Sequence, residues 1–286
     1  MSNLLDYSAP PEFTPAPART PNLGHAALFF VMTIGTIFLA QTLAVIIAHN
    51  LPALRNIPPV QLVQHARLII VTQFVAYLLA LAIAAIAFPV IWNRSFAAGI
   101  HWNARAAARF WPQLVALGAA IALGSALCER FLAIPKELPV DRFFENRADL
   151  WLVTVLGTLL APAFEEICFR GFLLPAVAIA FDWISLPRTP EGRLRWLATD
   201  SLSPAALACG AVVASIVFAL LHGHQLSYSP GPLAVLFCVS LVLSAVRIRT
   251  GSVAASALVH AGYNGLLFLL TYLATSGYQH LDKLAR

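Results

Sequence analysis

Residues 159–174 read LAPAFEEICFRGFLLP, which sets Glu165, Glu166 and Arg170 inside a segment that is otherwise almost wholly apolar. A charge at bilayer depth costs roughly 3 kcal/mol even on lenient insertion scales, so ionisable groups packed this closely must pair with one another or do chemistry. On a helix Glu166 and Arg170 stand four residues apart with the acid nearer the N-terminus, the favoured order for an ion pair. Successive helical residues are turned by about 100°, so Glu165 faces elsewhere. One carboxylate is neutralised by the arginine, and the other stays free to take a proton.

The rest of the chain explains why such a segment sits in lipid. Of 286 residues, 59% are hydrophobic and 11% charged, against about 25% charged in an ordinary soluble domain. Mean hydropathy is +0.78. Apolar runs recur at the length of roughly 20 residues that a helix needs to cross the hydrocarbon core, and no strand-type alternation appears. The composition therefore predicts an all-α polytopic membrane helix bundle of about eight transmembrane helices. The net charge of +5 comes from Lys and Arg in loops, where it reports topology and contact with membrane lipids, and no nucleic-acid partner is expected. Cys128, Cys168, Cys209 and Cys238 are scattered singly without metal-type spacing and read as small apolar fillers.

Taken in order, residues 1–23 hold five prolines and little hydrophobicity, which predicts a disordered or surface-lying lead-in. The remainder, 24–286, reads as a single membrane domain without internal repeats. Spans are expected over about 25–48, 68–92, 110–127, 150–164, 172–181, 204–222, 232–246 and 252–275, with a break at Gly171 inside the charged stretch. The first is too long for a signal-peptide core. Strict alternation puts the loops around Arg55, Arg142, Arg193 and Arg247 on one side, with about twice the Lys and Arg of the other. That makes this side cytoplasmic and leaves both ends of the chain external.

Outside the loops, the late spans hold Glu165, Glu166, Arg170, His222, His260 and Asn264. His222 closes an apolar run with Phe218 one turn earlier on the same face, and His260 and Asn264 share a face four residues apart. A glutamate acting as general base needs a water held by a second group, which a histidine supplies. The oxyanion formed when that water attacks a carbonyl needs donors, and a second histidine with an asparagine amide provides them. Glu165, His222 and His260 also suit zinc, which lowers the pKa of a bound water to about 7. The His-Glu-x-x-His helix of zinc peptidases is absent, and the residues alone leave the metal and metal-free versions open. A hydrolytic site inside a membrane implies a scissile bond at or below the lipid surface and a protein-lined route for water.

Glu165-Glu166-x-x-x-Arg170, Phe218-x-x-x-His222 and His260-x-x-x-Asn264 resemble, in order and spacing, the motifs of the CPBP intramembrane proteases. This is the CAAX-processing and bacteriocin-processing group that includes the type II CAAX prenyl endopeptidases. The resemblance covers about 149–270 and is carried by the three motifs together. It implies an eight-helix fold around a polar cavity, with Glu165 as general base, His222 helping to activate water, and His260 with Asn264 stabilising the oxyanion. Glu166 and Arg170 then orient the site, with Phe218 in support. The family has been described both as metal-dependent and as glutamate-dependent without metal; the second, with no cofactor required, is favoured here. The implied substrate is a membrane-associated or prenylated peptide, and the implied location is a bacterial plasma membrane. Two rivals stand beside the protease: a non-catalytic adaptor or bacteriocin-immunity-type protein that keeps the fold, and a proton-coupled carrier relaying through Glu165 and His260. The carrier is disfavoured because the polar residues cluster in one half of the chain.

Overall fold

The computed structural model describes residues 19–132, 135 and 138–284, so most of the lead-in expected over 1–23 lies outside the described residues. Among them, seven helices are long and apolar enough to cross a membrane. These are α1 (Leu23–Asn50), α2 (Ala66–Trp92), α3 (Trp111–Glu129), α4 (Arg147–Ser185), α5 (Pro204–Leu221), α6 (Pro230–Thr250) and α7 (Val253–Ala274). The chain is an all-α polytopic helix bundle.

The difference from the expected eight lies in α4, one 39-residue helical path where two shorter spans were expected. Gly171 does not break it. Instead the path widens twice into π-helix, at Leu156–Leu160 and at Ile167–Leu173. Each wide turn lies just before a proline, Pro162 and Pro175. A proline lacks an N–H and its ring pushes on the carbonyl four residues back, here Thr158 and Gly171. A π-turn accommodates both effects without ending the helix.

Seven crossings in place of eight reverse one end of the bundle. The loops around Arg55 and Arg142 fall at one end, and those around Arg193 and Arg247 at the other. The start of α1 and the end of α7 likewise lie at opposite ends. Basic residues then divide about evenly, so the charge asymmetry that assigned a cytoplasmic side disappears, and with it the placement of both chain ends outside.

Short elements fill the expected loops: Phe96–Gly99, Ala104–Arg109 and Pro190–Ala198 are helical, and Asp141–Phe144 makes one 3₁₀ turn. The turn predicted over 247–251 is narrower, because Arg247 and Arg249 stay in the last turn of α6 and only Gly251, at φ +64°, reverses the chain.

Two packing features hold α4 and α7 in place. Phe29 of α1 stacks on Phe172 at 4.2 Å between centroids, and Tyr77 of α2 stacks on Phe164 at 3.9 Å. The first two helices thus grip α4 on both sides of the glutamate pair. On the far side α3 and α7 meet backbone to backbone. A Cβ on Gly118 would lie 2.1 Å from the Val259 carbonyl oxygen, and one on Gly262 2.7 Å from that of Val115. Small residues at a crossing are what allow membrane helices to approach this closely.

Candidate active site

Glu165 and Glu166 stand on the short α-helical stretch Ala161–Glu166 between the two π-turns of α4. Their environments differ as the helical geometry demands. Glu166 and Arg170 are fully buried and paired, Arg170 Nη1 donating to Glu166 Oε1 at 2.9 Å. The guanidinium also donates through Nη2 to the carbonyl (2.7 Å) and hydroxyl (2.5 Å) oxygens of Ser240, and through Nε to Ser244 Oγ at 3.4 Å. A buried ion pair needs further hydrogen bonds to offset its desolvation, and Ser240 and Ser244 of α6 supply them to the arginine, while Glu166 Oε2 is buried without a partner among the described residues. Ser240 and Ser244 are absent from the sequence reading, although two serines four apart in an apolar helix are a visible signal.

His260 of α7 sits on the other side of Glu166, with Nδ1 3.0 Å from Oε1. The oxygen belongs to a carboxylate that already accepts from Arg170, so His260 Nδ1 carries the proton and donates. At the end of α5, His222 Nδ1 lies 2.8 Å from the Phe218 carbonyl oxygen. A carbonyl only accepts, so this nitrogen also carries the proton. With the Nδ1 proton in place, Nε2 is the other ring nitrogen, free of these bonds, in both histidines. Both Nε2 atoms point to one place, each 3.9 Å from Glu165 Oε2.

The Phe218 ring packs among these groups, with centroids 4.6 Å from His222 and 5.9 Å from His260, and with the Arg170 guanidinium carbon 5.2 Å from its own centroid. It packs against both histidines and supplies a cation–π face to the arginine. Asn264, one turn beyond His260, donates through Nδ2 to the Gly157 carbonyl oxygen at 2.7 Å. Gly157 lies in the first π-turn, so that turn is tied to α7. Only one of the two amide hydrogens is used in this bond.

Glu165, His222, His260 and Asn264 line one cavity of about 350 Å³, whose walls include Phe144, Leu236, Leu267 and Phe268. Six of the residues singled out from the sequence therefore converge: Glu165, His222, His260 and Asn264 at the cavity, with Glu166 and Arg170 behind them. Sequence reasoning missed Gln73 of α2, which lines the same cavity and donates through Nε2 to Tyr77 Oη at 2.6 Å. Its signal is a lone amide in the run LIIVTQFVAYLL. Cys168 is buried and free.

The carboxylate and two Nε2 atoms match zinc in donor type. Tetrahedral zinc with donors at about 2.0–2.1 Å requires neighbouring donors about 3.3 Å apart. The 3.9 Å separations from Glu165 are wider than that, and among the described residues no group of three or more His, Cys, Asp or Glu side chains is arranged to hold a metal ion. The residues do not fit the ion as they stand.

Seven apolar spans with a carboxylate and imidazoles from three helices facing one internal cavity define an integral membrane protein with an intramembrane polar centre. Residues 147–266 match the family described as "Type II CAAX prenyl endopeptidase Rce1-like". A relative described as an uncharacterized 24.3 kDa protein, from Escherichia coli, is 30% identical over 161 residues. The aligned stretch covers 55% of this chain and 63% of the relative, so the chain spans less than two thirds of that relative's length. No solved structure gives a significant match.

Proposed function

We propose that the protein is an intramembrane endopeptidase that hydrolyses a peptide bond in a membrane-associated or lipidated protein or peptide, using water activated by Glu165 and requiring no metal. In this reading 24–286 is one membrane domain with its catalytic core at about 149–270, and the host membrane is a bacterial plasma membrane. The observation that carries it is the convergence of His222 Nε2 and His260 Nε2 on a single oxygen of Glu165, each at 3.9 Å. That distance is too long for a direct hydrogen bond and right for one bridging water.

A water donating to Glu165 Oε2 and His222 Nε2 keeps its oxygen lone pairs free for a carbonyl carbon. As the C–O bond forms, Glu165 takes the water proton, and the carbonyl oxygen becomes an oxyanion. Asn264 offers the Nδ2–H that Gly157 does not use. His260 can donate through Nε2 only as an imidazolium that enters the step with a proton already taken from solvent and keeps it throughout, its Nδ1–H held by the Glu166 carboxylate as in a catalytic triad. Protonated Glu165 then gives its proton to the departing amine nitrogen as the C–N bond breaks, leaving a carboxylic acid and an amine. The apolar walls at Phe144, Leu236 and Phe268 suit a hydrophobic or lipidated segment.

The test is cleavage of a quenched library of apolar and prenylated peptides by the purified protein in liposomes. Cleavage is expected, with Glu165→Gln slower by about 10²–10⁴-fold. A Glu165→Gln variant as active as the parent overturns Glu165 as the base, and no turnover of any peptide by the parent overturns the protease reading and favours a non-catalytic adaptor.

A further inference from the structure

At the other end of the bundle lies a second cavity, of about 640 Å³, into which Arg19, Arg94, Arg247, His25 and His101 converge. Among its described lining residues the only acid is Asp200. Three guanidiniums facing one carboxylate need an explanation. Arg247 stands in the last turn of α6, where the helix dipole favours a cation, but a helix terminus supplies only about half a charge. That accounts for one arginine at most.

The three are also placed differently. Arg19 is fixed, its guanidinium 3.6 Å above the Trp196 ring and donating to the carbonyl oxygens of Trp196 and Thr199. Arg94 makes one long contact, 3.4 Å, to the Thr20 carbonyl. The Nε of Arg247 is buried and has no hydrogen-bond partner among the described residues. A buried charged donor left unpaired is costly, and an acceptor arriving in the cavity would satisfy it. His101 is held at the rim, its carbonyl accepting from Val253 N at 3.1 Å. Burial, with Arg247 and Arg94 nearby, holds its imidazole below the ordinary histidine range, as expected in a pocket with an excess of positive charge.

We infer that this cavity binds the phosphate group of an acidic phospholipid, with Arg94 and Arg247 as its principal partners. Phosphate chemistry follows from the guanidinium set. A lipid source follows from position and shape: the cavity lies at the ends of membrane-spanning helices, where Trp92 marks the interface, and Ile91, Leu174, Pro175 and Ile179 give it apolar walls. Its volume also far exceeds that of a lone phosphate. The inference does not depend on the protease reading, since none of its residues line the Glu165 cavity.

The full-length protein in nanodiscs of phosphatidylcholine, alone or doped with phosphatidylglycerol, provides the test, read by native mass spectrometry and thermal unfolding. Phosphatidylglycerol is expected to raise the unfolding temperature and to stay bound through detergent exchange. Arg94→Gln is expected to weaken that retention about fivefold, and so is Arg247→Gln. Arg94 is exposed, so its variant reports on binding even if the Arg247 variant folds poorly. Equal retention by the parent and Arg94→Gln overturns the site. Full stabilisation by inorganic phosphate in phosphatidylcholine discs, with none from phosphatidylglycerol, overturns the lipid source.

Discussion

His260 Nδ1 lies 3.0 Å from Glu166 Oε1, the oxygen that also accepts from Arg170 Nη1 at 2.9 Å. A single buried carboxylate thus links α7 to α4, and through Arg170 and Ser240 to α6. It fixes which His260 nitrogen faces the cavity. In Glu166→Gln the side chain keeps its shape but loses the charge that supports a doubly protonated His260. We expect kcat to fall by about three to four orders of magnitude, as when the acid of a catalytic triad is amidated. KM should stay near the parental value, because Glu166 does not line the cavity. A variant that raises KM and spares kcat would place Glu166 in substrate binding instead.

The same pair carries a stability prediction. Arg170→Leu leaves Glu166 charged, buried and unpaired, at a cost of about 3 to 5 kcal/mol, whereas replacing both members by apolar residues restores most of it. Unfolding of Arg170→Leu and of the Glu166→Leu/Arg170→Leu double variant in mixed micelles measures both. An unchanged Arg170→Leu variant would remove the ion pair from the account of the fold.

How much of this was legible in sequence depends on the distance over which each feature is determined. The Glu166–Arg170 pair and the shared face of His260 and Asn264 follow from one turn of helix, so spacing alone finds them. The count of spans was misread at α4 because Gly171 looks like a break. What decides the local path is the pair Pro162 and Pro175, whose effect is felt four residues upstream as π-turns. Gln73, Ser240 and Ser244 were overlooked because each is an unremarkable polar residue in its own helix. Only the packing of α2 and α6 against α4 brings them to the glutamates. Topology suffered most, since it accumulates over every span, and one merged helix sent Arg193 and Arg247 to the opposite end from Arg55 and Arg142.

Asn264 has two tasks that a truncation separates from those of its neighbours. Asn264→Ala removes the partner of the Gly157 carbonyl, costing about 1 kcal/mol or slightly more for an unsatisfied acceptor. It also removes an oxyanion donor, worth about 10²–10³ in kcat. Calorimetry and peptide turnover on the same preparation distinguish the two. A loss of activity no larger than the loss of folded protein would leave Asn264 with a structural role alone.

Gly118 tests whether the placement of α7 matters to the site residues it carries. A Cβ there would lie 2.1 Å from the Val259 carbonyl oxygen, one residue before His260, while a Cβ on Gly35 meets nothing within 4 Å. Gly118→Ala must push α3 and α7 apart, at a cost of about 1 to 3 kcal/mol, and should reduce turnover by shifting His260 away from Glu165. Gly35→Ala should leave both unchanged. Equal behaviour of the two variants in thermal unfolding would show that the crossing is looser than the geometry indicates.

Glu165 Oε2 and the two Nε2 atoms are the right donor types for zinc, yet separations of 3.9 Å exceed the roughly 3.3 Å between neighbouring ligands of a tetrahedral ion. Binding zinc would require the side chains to close in, and His222 and His260 are each anchored through Nδ1, to the Phe218 carbonyl and to Glu166 respectively. Moving either ring therefore stretches a bond that fixes its tautomer, whereas a bridging water fits the spacing as it stands. Protein dialysed against a strong chelator is expected to keep its peptide turnover, with less than stoichiometric zinc by elemental analysis. Activity lost on chelation and regained with zinc alone would mean that the cavity contracts around the ion, and the roles assigned to His222 and His260 would become those of ligands.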